Sequence, residues 1–257
     1  MTGSLSAIGK VVAVAEALTE HRRLSLIAQV TGLPVSTVHR ILQELVAQGW
    51  VREGEEHGYT LGPGLLRLAG RAADDSDLAR VARPALRSLC EQSGYTVHFG
   101  VRQGDEAVYL DKLEGRGAYG VRSRIGGTLP LHCTAIGKAI LAALPDEDVR
   151  EIARRTGLPR RMPRTLTSAE ALLAHLATVR ARGWAFDDEE NATRVRCVGA
   201  VVVDHRGEPI GAVSVSGLSA DLARVHVARL APMVMQTARA VSSALGARRW
   251  AHAWGPV

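Results

Sequence analysis

The segment LSLIAQVTGLPVSTVHRILQELVAQGW, residues 24–50, decides the fold of the first part of the chain. Ser25 is a suitable N-cap for a short helix, Leu26 to Thr31, that stops at a glycine. Pro34 favours the first turn of a new helix over residues 35–48. The apolar residues of that helix recur at helical spacing, at Val38, Ile41, Leu42 and Leu45. A short helix, a tight turn and a second helix predict a helix-turn-helix.

The flanking residues extend this motif to a winged helix-turn-helix over residues 1–61. Upstream, residues 5–19 predict an amphipathic helix because their apolar side chains share one face. Downstream, WVRE (50–53) and YTLG (59–62) predict two short strands around a polar hairpin tip at residues 54–58. The order of these elements is more specific than any one of them.

The polar face of the third helix carries residue types that suit DNA, namely Ser36, Thr37, His39, Arg40 and Gln43. Short hydroxyls near a helix start allow close approach to phosphates and base edges, and an arginine one turn later can reach a guanine or a phosphate. A helical module for protein contacts is the alternative, but a solvated face would more often carry Glu and Lys. We therefore predict that this helix enters the major groove. The candidate phosphate contacts are Arg22, Arg23 and Arg52.

The distribution of charge limits what bulk electrostatics can contribute. The net charge is +6, but residues 1–75 hold seven basic and eight acidic side chains, so the excess lies in residues 76–257. A few placed arginines must therefore supply the DNA contacts. Near the wing, Glu53, Glu55 and Glu56 would repel phosphates, so we expect the tip either to stay clear of the backbone or to read a groove edge through Arg52 or His57.

Composition excludes several classes of protein. With 46% hydrophobic residues the chain can build a core, which excludes a disordered chain. Charged residues interrupt the N-terminal apolar stretch, unlike a secretory signal, and no run approaches the ~18 apolar residues of a membrane span. Cys90, Cys133 and Cys197 are odd in number and widely spaced, which favours free thiols. We expect a cytoplasmic protein with no membrane partner.

The remainder of the chain predicts an α+β fold with a mainly antiparallel sheet. Residues 62–93 form a helical linker, in which Pro84 either kinks the helix or marks a true start. A domain over residues 94–248 follows, with a tail at 249–257. Its strands are predicted at 96–102, 107–115, 119–125, 184–190, 195–205 and 209–217, and its helices at 132–143, 147–155, 168–182 and 221–246.

Motifs for catalysis and cofactors are weak. Gly115, Gly117 and Gly120 satisfy G-x-G-x-x-G, but no helix start follows to receive a pyrophosphate. The adjacent His132 and Cys133 lack the geometry of a nucleophile and its base. We therefore predict no enzyme, no catalytic residue and no cofactor.

Four acidic residues in a row, 187–190, are an oxygen-rich metal site, an acid/base pair or a solvated turn. The solvated turn is the favoured interpretation, so no metal site is predicted. Ser214 and Ser216 alternate with valines, which places both hydroxyls on one strand face. That face either lines a pocket for a small polar ligand or lies open to water. Cys197, in an apolar strand, is expected to be a small buried hydrophobe.

Three segments resemble the IclR family of bacterial transcriptional regulators. They are TGLPVSTVHRILQELVAQGWV (31–51), LPLHCTAIGKAILA (129–142) and DDEENATRVRCVGAVVVDHRGEPIGAVSVSG (187–217). The resemblance implies a winged-helix domain, a linker helix and a GAF-like effector-binding domain. It also implies a homodimer or a dimer of dimers, and no catalysis.

The resemblance further implies where an effector binds. The matching positions are Leu129, Ala135, Ile136, Asp187, Val195, Cys197, Ser214 and Ser216, with Ala118 and Val121 as a wall. The family usually has glycine three positions before its cysteine, and this chain has Arg194. Two hypotheses follow: the loop loses a residue that permits positive φ, or a cation reaches the pocket mouth to pair with an acidic ligand.

These observations together predict a ligand-responsive transcriptional regulator of a metabolic or catabolic operon, either a repressor or an activator. Its partners would be double-stranded operator DNA and a small organic effector, a carboxylate or a hydroxylated aromatic compound. The alternative is a small-molecule sensor or enzyme whose winged helix serves protein contacts.

Overall fold

A computed structural model describes residues 5–54, 58–65, 67–68, 77–116 and 123–247 of the chain. The chain divides into two units, Met1–Asp75 and Ser76–Val257, which are described in turn. Several residues considered above lie outside the described residues: Glu55, Glu56, His57, Gly117, Ala118, Gly120, Val121 and the tail at 249–257.

The N-terminal unit is a winged helix-turn-helix, as predicted. Its elements are α1 (Ala7–Ala17), α2 (Leu24–Thr31), α3 (Val35–Ala47), β1 (Val51–Glu53) and β2 (Tyr59–Leu61). The two strands pair antiparallel. The three helices and the hairpin bury one apolar cluster, which includes Val14, Ile27, Val38, Leu42 and Tyr59. The helical periodicity of the sequence therefore identified the buried faces of α2 and α3 correctly. It was wrong for α1, where the spacing predicts a buried face through Ile8 and Val12 but the structure exposes both and buries Val14 and Ala17.

The start of α2 differs from the prediction. The helix begins at Leu24, so Ser25 lies inside its first turn and is not the N-cap. The cause is a contact with the wing, because the N–H of Tyr59 donates to the carbonyl of Arg22 at 2.7 Å and Arg23 forms a β-bridge with Gly58. This pairing holds the chain extended up to the first helical residue. The predicted end of the helix is confirmed: Gly32 adopts φ +67°.

The C-terminal unit has one six-stranded antiparallel sheet between two layers of helices, which confirms the predicted α+β class. The strands are β3 (Thr96–Gln103), β4 (Glu106–Leu113), β5 (Thr128–Pro130), β6 (Ala185–Asp188), β7 (Val195–Val203) and β8 (Pro209–Leu218). Their order across the sheet is β5-β4-β3-β8-β7-β6. The helices are α4 (Asp77–Ser93), α5 (Ala135–Ala142), α6 (Asp146–Thr156), α7 (Ala169–Arg182) and α8 (Arg224–Ala244).

The two helical layers have separate cores. Helices α4 and α8 pack on one face of the sheet, and α5, α6 and α7 bury the other core. Pro84 lies inside α4 rather than at its start. None of the helices in the described part of the chain is long and apolar enough to cross a membrane.

One strand prediction fails in its described part. Residues 123–125, the end of the strand predicted at 119–125, form no strand, and residues 119–122 lie outside the described residues. The edge strand is instead β5, which pairs with β4 through Leu129 and Ala107. Three residues are too few to give a period-two signal, so the sequence pattern missed it.

Candidate functional site

The exposed face of α3 presents the polar residues predicted from the sequence. Ser36, His39 and Arg40 are exposed and Thr37 is half-buried, while the opposite face of the helix is buried in the core. Gln43 is more constrained than expected, because its amide donates to the hydroxyl of Tyr59 at 3.3 Å. We infer that Gln43 joins α3 to the wing hairpin as well as facing outward.

The predicted phosphate contacts are exposed cations on other elements of the same unit. Arg22 and Arg23 precede α2, and Arg52 lies on β1. None of the three forms an ion pair with another residue that the structure describes, and the same is true of Arg40. Their guanidinium groups are therefore free to meet an anionic partner.

The C-terminal unit contains a cavity of about 350 Å³ between the start of α5 and the sheet. All eight described positions that the family resemblance singled out lie on its wall: Leu129, Ala135, Ile136, Asp187, Val195, Cys197, Ser214 and Ser216. Cys197 therefore faces this cavity rather than a packed core. Of the two readings of the serine face, a buried pocket wall is the one found, since Ser214 and Ser216 are both buried.

Six further residues complete the described wall, and the sequence analysis missed them. They are Tyr109, Thr134, Asn191, Ala192, Thr193 and Leu218. Two signals could have found part of the set. Tyr109 lies two residues after Ala107, so both belong to one face of β4. Thr134 is a capping residue directly before a helix.

The start of α5 supplies backbone donors to the cavity. The hydroxyl of Thr134 accepts from the N–H of Gly137 at 3.0 Å and donates to the carbonyl of Pro130 at 2.7 Å. Among the described residues, nothing accepts a hydrogen bond from the N–H of Ala135 or Ile136. Two free N–H groups at a helix start favour an anion or another acceptor.

Glycine is required at the third residue of α5, Gly137. A Cβ on Gly137 would lie 2.3 Å from both Cα and O of Leu131, so only glycine lets α5 approach the preceding loop this closely. The approach holds the N-terminal end of α5 against the segment that follows β5. The donors of α5 are thereby fixed at the cavity wall.

A buried histidine orients one of the cavity serines. The hydroxyl of Ser216 lies 3.3 Å from Nδ1 of His98, whose Nε2 lies 2.7 Å from the hydroxyl of Ser123. Burial, with a smaller contribution from Lys112, lowers the pKa of His98 to about 3. His98 is therefore neutral near pH 7, and its single ring proton goes to one serine while its other nitrogen accepts from the second.

The acidic run 187–190 is not the solvated turn that we expected. Asp187 is 2% exposed and Glu190 is 6% exposed. Glu190 forms an ion pair with Lys138, which is fully buried in α5 and also donates to the carbonyl of Phe186. The sequence could not reveal this partner, because it lies 52 residues away. No group of three or more His, Cys, Asp or Glu within the described ranges is placed to hold a metal ion.

Asp187 lines the cavity in an apolar setting. Its Oδ1 accepts from the N–H of Glu190 at 2.8 Å. Burial raises the pKa of Asp187 to about 7, and this outweighs the opposing effects of that N–H and of Lys138. Asp188, the next residue, points away into an ion-pair cluster with Arg164, Arg196 and Arg224.

Arg194 adopts φ +60°, so the backbone conformation that glycine would permit is present here with an arginine. Its N–H donates to Oε2 of Glu189 at 3.0 Å. The side chain is exposed, and Arg194 is not part of the described cavity wall. The structure thus agrees with the first hypothesis for this position and gives no support to a cation at the pocket mouth.

A winged helix-turn-helix joined in one chain to a unit with a ligand-sized cavity is the organisation of a DNA-binding transcriptional regulator. The IclR helix-turn-helix domain matches residues 7–55, and the C-terminal domain of the bacterial transcriptional regulator IclR matches residues 70–243.

Individual proteins of the same family are similar to this chain in sequence and in structure. The chain is 36% identical over 229 residues to the transcriptional repressor IclR of Escherichia coli K12, which covers 88% of this chain and 84% of the repressor. It is 33% identical to the acetate operon repressor of Salmonella typhimurium LT2, over 97% of this chain and 93% of that one. An IclR homolog from Microbacterium hydrocarbonoxydans, solved in complex with 4-hydroxybenzoate, superimposes with a TM-score of 0.80 at 25% identity and covers 93% of this chain and 99% of that one.

The chain therefore belongs to the IclR family of bacterial transcriptional regulators. The predicted family is confirmed. So is the prediction that the protein is not an enzyme, because its relatives are named repressors and regulators.

Proposed function

We propose that the protein regulates a metabolic or catabolic operon by binding operator DNA through α3 and releasing or holding it according to a small effector. Ser36, Thr37, His39 and Arg40 would meet base edges in the major groove, with Gln43 beside them. Arg22, Arg23 and Arg52 would contact phosphates. The observation that carries this proposal is the exposed polar face of α3, together with exposed arginines that form no ion pair within the described part of the same unit.

We infer that the effector is a small carboxylate or hydroxylated aromatic compound that occupies the cavity. The N–H groups of Ala135 and Ile136 would donate hydrogen bonds to its acidic or carbonyl oxygens, and Ser214 and Ser216 would hydrogen-bond its other polar atoms. The aliphatic wall at Leu129, Val195 and Leu218 suits a ring or chain. The Microbacterium homolog solved with 4-hydroxybenzoate supports a ligand of this kind.

The effector would act on DNA binding only through a difference in its affinity for two arrangements of the protein. We propose a homodimer or a dimer of dimers, which would supply two reading helices for two half-sites. In this scheme residues 1–61 bind DNA, residues 62–93 connect, and residues 94–248, a GAF-like domain, hold the effector. Ligand binding would change the spacing or freedom of the paired reading helices.

DNA binding is tested with operators selected from random DNA by the full-length protein. We expect fluorescence anisotropy to show an affinity that falls steeply as salt rises from 50 to 200 mM, because phosphate contacts release counterions. A wild-type protein that selects no sequence even at low salt would support the rival proposal, in which the winged helix serves protein contacts. A thermal-shift screen of metabolites on the same protein would identify effectors by the rise in melting temperature.

A further inference from the structure

The cavity holds one ionisable carboxyl group and, among its described wall residues, no Lys, Arg or His. This composition of the wall matters for the proposed effector, because an anionic ligand at the start of α5 would lie in the same buried cavity as the carboxyl of Asp187. Two carboxylates in one buried site repel each other strongly unless one of them takes up a proton. Helix α5 offers N–H groups but no cationic side chain that faces the cavity.

The nearest buried cation is already balanced. Lys138 forms its ion pair with Glu190. The second oxygen of Glu190, Oε2, is buried without a hydrogen-bond partner in the described structure. Lys138, Glu190 and an ionised Asp187 would together carry one net negative charge before any ligand enters. An anionic ligand would double it.

We propose that the cavity binds a carboxylate together with one proton, and that Asp187 holds this proton. The proposal rests on the proposed function, since it specifies how the effector cavity accepts an acid. In the bound state the protonated Asp187 donates a hydrogen bond to the ligand, and the N–H groups of Ala135 and Ile136 donate hydrogen bonds to the ligand's carboxylate. Asp187 thus determines the charge state of the ligand that the cavity selects.

The other titratable groups around Asp187 do not compete for this role between pH 6 and pH 8. On β7, across from Asp187, burial raises the pKa of the Cys197 thiol, and on β4 it raises the pKa of the Tyr109 hydroxyl. Before α5, burial raises the pKa of Cys133 to about 12. All three groups stay neutral in this range.

Two histidines lie further out. The pKa of His98, on β3, is about 3, and burial lowers the pKa of His175, on α7, to about 4, so both stay uncharged. Burial lowers the pKa of Arg182, also on α7, and the charge of Glu190 opposes this effect. Glu190 is the remaining carboxyl that could hold the proton, because burial raises its pKa too.

Isothermal titration of the full-length protein with 4-hydroxybenzoate at pH 6.0 and pH 8.0 tests the proposal. Since Asp187 titrates with a pKa of about 7, we expect roughly tenfold weaker binding at pH 8.0, together with net proton uptake measured in buffers of different ionisation enthalpy. Asp187→Asn should bind with equal affinity at both pH values and roughly tenfold more tightly than wild type at pH 8.0. Asp148→Asn, an exposed carboxyl in the first turn of α6, is the matched control and should behave as wild type.

Several results would overturn the proposal. Binding that is independent of pH in the wild type would do so, and so would a pH dependence that persists in Asp187→Asn but disappears in Glu190→Gln. Loss of binding in Asp187→Asn with tighter binding at high pH would mean that the cavity takes a cation. A carbon-13 titration of the Asp187 carboxyl in the ligand-free protein gives an independent reading, and a midpoint near 4 contradicts the proposal whatever the ligand.

Failure of the proposed function gives a different pattern. If 4-hydroxybenzoate binds neither wild type nor Asp187→Asn at pH 6.0, the carboxylate class is wrong and this inference falls with it. Anisotropy with selected DNA on the same samples then decides whether the DNA-binding role stands.

Discussion

The arginines of the N-terminal unit that we predict to contact DNA are exposed and have no ion-pair partner among the described residues. In the C-terminal unit, by contrast, three arginines share one carboxylate, that of Asp188. The contrast extends to the other charges. Lys138 and Glu190 form a buried pair in the C-terminal unit, and Asp187 lies against a cavity. The N-terminal unit buries an apolar cluster, and the charged side chains in its described part are exposed or half-buried.

The difference follows from the size of what each unit is proposed to recognise. DNA presents a long array of phosphates, so exposed cations can act on it directly and cost little stability when removed. A small ligand offers few atoms, so its site must exclude water and hold each polar group in place. Because such a site is buried, an unpaired charge in it lowers the stability of the protein strongly. Substitutions in the two units should therefore affect different measurements.

The largest effect is expected at the buried pair. Lys138→Met leaves Glu190 buried without its cation and should lower the free energy of unfolding by about 3–5 kcal/mol. Urea unfolding followed by circular dichroism measures this. The double variant Lys138→Met/Glu190→Gln removes both charges and should recover at least half of the loss. If the double variant is as unstable as the single one, the two charges do not depend on each other and the contrast between the units weakens.

A substitution on α3 should show the reverse pattern. Arg40→Ala should weaken binding to selected operator DNA by about 1–3 kcal/mol and reduce the salt dependence, while the free energy of unfolding stays within about 0.5 kcal/mol of wild type. Anisotropy and urea unfolding on the same samples give both numbers. Arg150→Ala is the control, since Arg150 is an exposed arginine of the C-terminal unit that pairs with Glu147. Equal losses of DNA affinity in both variants would mean that bulk charge, not α3, drives binding.

Two helix caps separate stability from effector binding within the C-terminal unit. Thr134 caps α5 at the cavity, and Ser168 caps α7 by accepting from the N–H of Ala171 at 3.2 Å. Replacing either residue with alanine should cost about 1 kcal/mol of stability. Only Thr134→Ala should also weaken binding of the carboxylate found by thermal shift, because Thr134 lines the cavity and holds the start of α5. Equal effector affinities in the two variants would argue against a ligand at that helix start.

The sequence predicted the N-terminal unit better than the cavity, for a physical reason. A helix in this unit buries one face and exposes the other, so the spacing from Val38 to Leu45 identifies both the core and the reading surface. Where the signal was again local, as for Ser214 and Ser216, the prediction of one strand face was also correct. The acidic run at 187–190 was misread, because its environment depends on Lys138 in a distant helix. Spacing along the chain carries no information about such a partner.

The smallest effect is expected at Arg194, which adopts a left-handed backbone conformation at φ +60°. That conformation destabilises a residue with a side chain by about 1–2 kcal/mol. Glycine avoids this strain, but it loses more conformational entropy on folding, which offsets part of the stabilisation. Arg194→Gly should therefore raise the free energy of unfolding by about 0.5–1 kcal/mol and leave effector affinity unchanged.

Glu189→Gly provides the comparison, since Glu189 has a similar φ of +62° but its carboxylate accepts from the N–H of Arg194 and pairs with Arg196 at 3.7 Å. In Glu189→Gly the loss of these two contacts should cancel the stability gained by relieving the left-handed conformation. Weaker effector binding in Arg194→Gly would show instead that a solvent-exposed cation acts on the buried cavity. The separation between surface charge and buried charge in this unit would then be wrong.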